Sequence, residues 1–316
     1  MGLRNYVLRR VLLAIPSVIG ITSLIFVVLR VLPGDIAQIA LEGTTDQATL
    51  AAARHQLGID VPIWQQYLNW IGDLAHGNLG ESFRMHSDLN VEVARAFPVT
   101  AHVVVLTQII AIGIALPAGI ISAVRRGSGI DYATRILSLS GLSIPAFWLG
   151  ILILILLSRS FNWVPPLRWV PFWQDPIENL KIIIWPAFAV GYIEAGTLTR
   201  MVRSSMLDVL SQDHVRTARA KGLRERIVLT RHVLFISLIS VVTVLGTQVA
   251  TLLSGLIVTE TVFNLPGMGF VLVSAVTRYD YPTVQAMSFV IAVIFVLTNL
   301  IVDLSYGWLD PRIRYS

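Results

Sequence analysis

The sequence predicts an all-α integral membrane protein with six transmembrane helices and both termini in the cytoplasm. Three observations carry that expectation. Hydrophobic residues make up 55% of the 316 and charged residues only 14%, where a soluble domain carries about 25% charge; mean hydropathy is +0.71. Six segments have the roughly 20 mostly apolar residues that a spanning helix needs: 11–29, 101–124, 136–157, 182–201, 233–258 and 286–306. With the N-terminus inside, the short inner segments collect most of the 24 Lys and Arg residues, the arrangement that orients membrane helices.

The first run, "VLLAIPSVIGITSLIFVVL", is longer than the apolar part of a signal peptide, and no small-residue cleavage site follows it, so it reads as a retained span. Pro145 and Pro186 interrupt the third and fourth spans, which membrane helices tolerate when neighbours satisfy the freed backbone groups. The inner segments carry Arg4, Arg9 and Arg10, then Arg125, Arg126 and Arg135, then a dense basic loop, then Arg312 and Arg314. In a soluble protein a net charge of +5 would suggest nucleic acid; here it sets orientation against the lipid, and no nucleic acid is expected. Residues 1–99 comprise the first span and a long external segment. Residues 100–316 form a five-helix core that contains the cytoplasmic loop 202–232.

Within the external segment, "PIWQQYLNWIGDLAHG" places Trp64, Tyr67, Leu68, Ile71 and Ala75 at helical spacing on one face. Such a helix either lies along the outer membrane surface or covers the protein's own spans.

The dense basic loop is "DHVRTARAKGLRERIVLTRH", residues 213–232, with Arg216, Arg219, Lys221, Arg224, Arg226 and Arg231. Each cation at mid-membrane costs about 2.5–3.5 kcal/mol on insertion scales, so the segment stands outside the bilayer. Its local signals are those of a structured element. Ser211 is a candidate N-cap, and Asp213 sits in the first turn where the helix dipole favours an anion. Val215, Ala218, Ala220 and Leu223 offer a small apolar surface. Gly222 falls where a helix ends in a left-handed cap, and a second helical stretch, Leu223 to His232, leads into the fifth span.

These residues carry a resemblance. "RTARAKG" resembles the peptide-permease version of the EAA loop of ATP-binding cassette importers, with Arg216, Thr217 and Ala218 at the E-A-A places and Gly222 at the glycine. The general pattern continues I-x-L-P; here His232, Val233, Leu234 and Phe235 match it only at the leucine. Further stretches match the same branch in order: "VLPGD" (31–35), "LGID" followed by Pro62 and "QQY" (65–67), and "GNLGESF" (77–83). So do "IPAFWLG" (144–150), "RMVRSSMLDVL" (200–210), "TETVFNLPGMG" (259–269) and "DPRIRY" (310–315). Almost the whole chain is similar to the B-type membrane subunit of dipeptide and oligopeptide importers.

The resemblance implies the type I importer permease fold and a coupling segment, Arg216, Thr217, Ala218, Arg219, Ala220, Lys221, Gly222 and Leu223, that docks on an ATPase. It also implies two ATPase subunits that bind ATP and Mg, a second related permease subunit and an extracytoplasmic substrate-binding protein; a heterodimer of permease subunits is expected, with a homodimer left open by a single chain. No G-x-x-x-x-G-K-[ST] occurs in the chain, so it carries no P-loop of its own, and no cofactor or catalytic residue is expected on it. The branch includes carriers of peptides, nickel complexes and oligosaccharides, and peptides are the expected cargo.

The substrate path is less legible. Thr243, Thr247, Thr251 and Ser254 share one face of the fifth span, with Gly246, Ala250 and Gly255 close by. Small and hydroxyl residues serve close helix packing as readily as a path, and both readings stand. An ionisable residue inside a membrane is by default a functional candidate: Glu194 in the fourth span is a path residue or a partner of a neighbouring span, and Asp303 in the sixth is expected to pair with Arg135 or Arg203. The external turn around Asn264, Pro266, Gly267 and Gly269 should bend sharply and is read as a re-entrant or docking element.

Two rivals fail on the sequence. A secondary transporter would show internal repeats, and none is convincing here. A membrane-embedded enzyme would need a metal or a carboxylate pair. The six histidines have no metal-ligand spacing and there is no cysteine.

Overall fold

The computed structural model describes residues 3–31, 37–38, 41, 46–56, 58–166 and 168–309, with side chains described throughout except at 3–6, 56, 254–255 and 305–309. Most of the "VLPGD" stretch, all of "DPRIRY" and the side chain of Ser254 therefore lie outside the described residues.

The described chain is helical. Helix α1 (Leu3–Val31) is followed by two short helices, α2 (Gln47–Gln56) and α3 (Ile63–Ala75), then by α4 (Leu89–Val124), α5 (Gly129–Ser143), α6 (Ala146–Phe161) and α7 (Pro176–Leu210). A short helix α8 (Asp213–Ala220) and the π-helical stretch Val228–Leu234 lead into α9 (Phe235–Val262), and α10 (Met268–Thr277) and α11 (Tyr281–Leu309) complete the order. Starts are set by familiar signals. The Asp88 side chain accepts from Asn90 N at 2.7 Å, and Asp175 accepts from the backbone of Ile177 and Glu178 with Pro176 in the first turn.

Among the described residues, five helices are long and apolar enough to cross a membrane. The predicted third span, 136–157, is not one straight helix: α5 and α6 meet at a 100° bend. Pro145 has no N–H and disfavours helical backbone in the residue before it; Ile144 accordingly sits at φ −106°, ψ 123°. Pro186, by contrast, lies inside an unbroken α7.

The centre of the bundle is α7 crossed by α4. The helices approach closely because glycines line the contact: a Cβ on Gly191 would meet Ile110 and the Thr107 carbonyl at 3.0 Å, and one on Gly196 would meet the Ser138 carbonyl of α5 at 2.6 Å. One apolar cluster, including Ala115, Leu198, Val202, Met206 and Val241, continues to the end of the bundle that carries α8.

At the other end the chain between α1 and α4 folds back onto the core. Asp280, 3% exposed, accepts from Ser82 Oγ at 2.5 Å, Phe83 N at 3.1 Å and Thr283 Oγ1 at 2.8 Å. This anchors the "GESF" stretch to the start of α11. Helix α3 divides its predicted face. Tyr67 turns inward, bonding Ser23 at 2.7 Å and packing edge-on against Phe26, and Trp70 stacks on Phe26. Ile63, Trp64 and Leu68 stay exposed. The helix covers the first span with one side and keeps an apolar side outward.

Candidate functional site: the segment joining α7 to α9

Helix α8 is seated on the bundle by two buried side chains, Val215 and Ala218. Val215 is fully buried and Ala218 is 5% exposed, in the same apolar cluster as Val209 of α7 and Val228 and Val233 of the π-helical stretch. The rest of the segment faces outward: Arg216, Thr217, Arg219, Ala220, Lys221, Gly222 and Leu223 are exposed. Of the small apolar surface read from the sequence, Val215 and Ala218 are buried and Ala220 and Leu223 are exposed. Burial of Val215 and Ala218 fixes which side of α8 meets the bundle, because residues three apart share a helix face.

Ser211 does not open α8. Its Oγ donates to the Asp208 carbonyl at 2.8 Å and the residue closes α7, while Gln212 precedes the first turn of α8. Asp213 does occupy that first turn. The other end is a two-bond glycine cap: Leu223 N bonds Ala218 O at 3.4 Å and Gly222 N bonds Arg219 O at 2.9 Å, with Gly222 at φ +75°. The corner is braced by Arg219, which grips Glu225 with both ends of its guanidinium, at 3.2 and 2.7 Å. That hydrogen-bonded pairing holds Arg219 in its charged form above the ordinary arginine range.

Beyond the corner, the expected second helical stretch is a short α-turn, Glu225–Ile227, followed by the π-helix Val228–Leu234. π-helical turns are rare and gather at functional sites. This one runs without a break into α9 at Phe235, and its Val228 and Val233 pack in the same cluster as Val215 and Ala218 of α8.

Along α9, Thr243, Thr247 and Thr251 are exposed on one face. Their hydroxyls bond backbone carbonyls of their own helix, for example Thr247 to Val244 at 2.8 Å and Thr251 to Gln248 at 2.9 Å. Glu194 is half-buried on α7, and its backbone carbonyl accepts from Gln248 Nε2 of α9 at 3.1 Å.

Asp303 pairs with Arg10 of α1 at 2.7 Å, not with Arg135 or Arg203; the first and last spans lie side by side, which brings the two together. Arg203 instead serves Asp131 of α5, through Nε to Oδ1 at 2.9 Å and Nη2 to Oδ2 at 3.0 Å. Ser122 Oγ at 2.5 Å and Gly127 N at 3.0 Å complete the shell around that carboxylate.

The turn after α9 is built on a carboxylate the sequence did not single out. Glu260, 1% exposed, accepts from Thr100 Oγ1 at 2.6 Å and from the backbone N–H of Gly269 and Phe270 at 2.8 and 3.2 Å. An anion at the start of α10 is where the helix dipole favours one. Asn264 and Pro266 are exposed, but Gly267 and Gly269 are buried against Glu260. The signal was present in the sequence as an acidic residue within an apolar run just before a glycine-rich turn. A Cβ on Gly269 would lie 2.5 Å from the Ile257 Cα, where backbone cannot yield. Gly269→Ala is therefore expected to destabilise the chain by about 1–3 kcal/mol, seen as a lower thermal midpoint of the purified complex.

Among the described residues no group of three or more His, Asp or Glu side chains is placed to hold a metal.

The geometry is that of an apolar helical bundle with a basic, exposed helix, closed by a glycine cap, between two of its spans. Residues 115–315 match the family described as binding-protein-dependent transport system inner membrane component, and residues 3–104 match its N-terminal companion. The chain belongs to that family. Among its relatives, the di/tripeptide transport system permease protein DppB of Pseudomonas aeruginosa (strain UCBPP-PA14) is 38% identical over 333 residues, covering 99% of each chain. The dipeptide transport system permease protein DppB of Escherichia coli (strain K12) is 39% identical over 340 residues, again 99% of each. The protein of the same name from Alkalihalophilus pseudofirmus is 37% identical over 98% of this chain and 99% of its own. A solved amino acid ABC transporter with histidines is similar at 14% identity and TM-score 0.45, covering 71% of this chain and 94% of that one. The protein is thus a multi-pass inner-membrane permease subunit of an ATP-binding cassette importer and not itself an enzyme; its family works with an ATPase and a substrate-binding protein.

Proposed function

We propose that this chain forms one half of the membrane channel of a peptide importer. The relatives named for dipeptide and tripeptide transport along their whole length support the cargo. The observation that carries the mechanism is the seat of α8: Val215 and Ala218 are buried with Val209, Val228 and Val233 while the basic face stays exposed. An ATPase that engages Arg216 to Leu223 moves α7 and α9 with it. Two ATPase subunits supply ATP and Mg, a second homologous permease subunit completes a heterodimer, and the binding protein delivers cargo at the opposite end. Both termini and α8 face the cytoplasm, in keeping with the basic inner segments. The face of Thr243, Thr247, Thr251 and Ser254, with Glu194, lines the path, and the turn at Asn264, Pro266, Gly267 and Gly269 faces the binding protein through its first two residues.

Purification of this chain from its native membrane in mild detergent tests the assembly. ATPases with P-loops and a homologous six-span partner are expected to come with it, and peptide is expected to stimulate ATP hydrolysis once the binding protein is added. A chain that emerges alone and stable in several detergents sinks the reading.

A further inference from the structure

Glu194 has a chemistry that the path reading leaves unspecified; a role for its carboxylate in holding cargo rests on that reading and on peptide as the cargo. The side of α7 that faces α9 is marked by Ser205, whose Oγ donates to the Ser237 carbonyl at 3.1 Å. At 100° per residue, Glu194 lies about 20° from Ser205 around the helix, three turns deeper in the bundle. Gln248 of α9 reaches across at that level and commits its Nε2 donor to the Glu194 carbonyl, 3.1 Å away. Its Oε1 is left buried with no partner. Among the described residues no cation forms an ion pair with Glu194 and no side chain donates to its carboxylate.

At the level of this contact stand two acceptors without a protein donor among the described residues, the buried Gln248 Oε1 and the half-buried Glu194 carboxylate. Unmet acceptors there are costly, and a neutral donor would satisfy one atom but not the charge. A group with several N–H bonds and a positive charge satisfies both. On a peptide that group is the N-terminal ammonium, present whatever the side chains are. Thr247, next to Gln248 in sequence, lies on the exposed hydroxyl face from which such a cargo arrives.

We propose that Glu194 and Gln248 form a station for the N-terminal ammonium of a peptide in transit. The carboxylate supplies a counter-charge in place of the hydration that the ammonium loses on leaving water, and Gln248 Oε1, buried in this conformation, turns toward the path to accept a second of its hydrogens.

The chain has no cysteine, so Glu194→Cys gives it a single thiol whose charge can be set chemically. The complete importer, reconstituted in vesicles with its binding protein, is assayed for uptake of labelled dialanine and trialanine. Glu194→Cys is expected to lower the maximal rate about tenfold or more, as loss of a counter-charge in the membrane interior requires. The anionic sulfonatoethyl disulfide adduct should restore most of that rate, and the neutral methyl adduct and the cationic trimethylammonioethyl adduct should not. Wild-type complex treated with the same reagents corrects for thiols on partner subunits. Equal rescue by the methyl adduct, or full activity of Glu194→Gln, would assign Glu194 to packing and overturn the proposal. Poor assembly of both variants with normal uptake per assembled complex would assign it to pairing with the second permease subunit, overturning it equally. A wild-type importer that takes up neither labelled dialanine nor trialanine removes the peptide reading itself, whereas normal wild-type uptake with a charge-insensitive position 194 removes only the station.

Discussion

Replacing Gly222 by valine is expected to abolish peptide-stimulated ATP hydrolysis and to lower uptake at least tenfold, while the complex still assembles. The reason is backbone alone. Gly222 sits at φ +75°, and an ideal Cβ there would meet no atom within 4 Å, so there is no clash to blame. A β-branched residue in this left-handed region is a steric outlier, with a penalty of about 1–2 kcal/mol. That rivals the net worth of the two backbone bonds that close the corner, about 0.5–1.5 kcal/mol each. The corner opens, Leu223 N leaves Ala218 O, and the Arg219–Glu225 grip, which spans the corner, is lost with it. A push on α8 then bends a hinge where it had moved α7 and α9. Gly222→Asn separates geometry from size, because asparagine accepts positive φ. Uptake and stimulated ATPase measured side by side in vesicles should show asparagine near wild type and valine uncoupled. Like behaviour of the two would mean that the shape of this corner transmits nothing.

That corner was legible because a positive φ has a residue type attached to it. So was the existence of the spans, since apolar runs of the right length have few other uses. The start of α8 was misread for a local reason: Ser211 and Gln212 are all that separates two helices, and a serine hydroxyl closes one helix as readily as it opens the next. Pro145 announced an interruption but not a 100° bend, because the angle is set by what α5 and α6 pack against. In α3, spacing found the amphipathic pattern but not its rotation, which Phe26 and Ser23 decide by drawing Tyr67 inward. The polar partnerships were the least legible. Arg10 with Asp303, Arg203 with Asp131 and Thr100 with Glu260 join residues far apart in sequence, and no periodicity relates them. Each is fixed by which helices are neighbours. Apolar burial is read from one helix at a time; a buried hydrogen bond needs two.

Breaking the Asp131–Arg203 pair from the arginine side is expected to cost more stability than the Gly222 or Gly269 substitutions. Asp131 is 1% exposed and receives both ends of the guanidinium. Arg203→Met leaves Ser122 and Gly127 as donors but no cation, and an uncompensated buried charge costs about 3–5 kcal/mol. The reverse change is milder. In Asp131→Asn the Arg203 side chain, 22% exposed, still reaches polar surroundings. Arg203→Lys falls between, because an ammonium is a point charge that cannot serve both carboxylate oxygens in the plane of the fork. The double variant Asp131→Leu with Arg203→Met removes both charges and should recover most of the loss, since apolar residues of similar volume often replace a buried pair without penalty. Thermal midpoints of the purified complex rank these four; equal losses for Arg203→Met and Asp131→Asn would overturn the burial argument. Uptake by the double variant then asks a second question, because Arg203 stands on α7 between Glu194 and the end that carries α8. If stability and coupling return together, the pair only holds α5 against α7. If stability returns and coupling does not, the charge pair itself carries the motion of α8 toward the path.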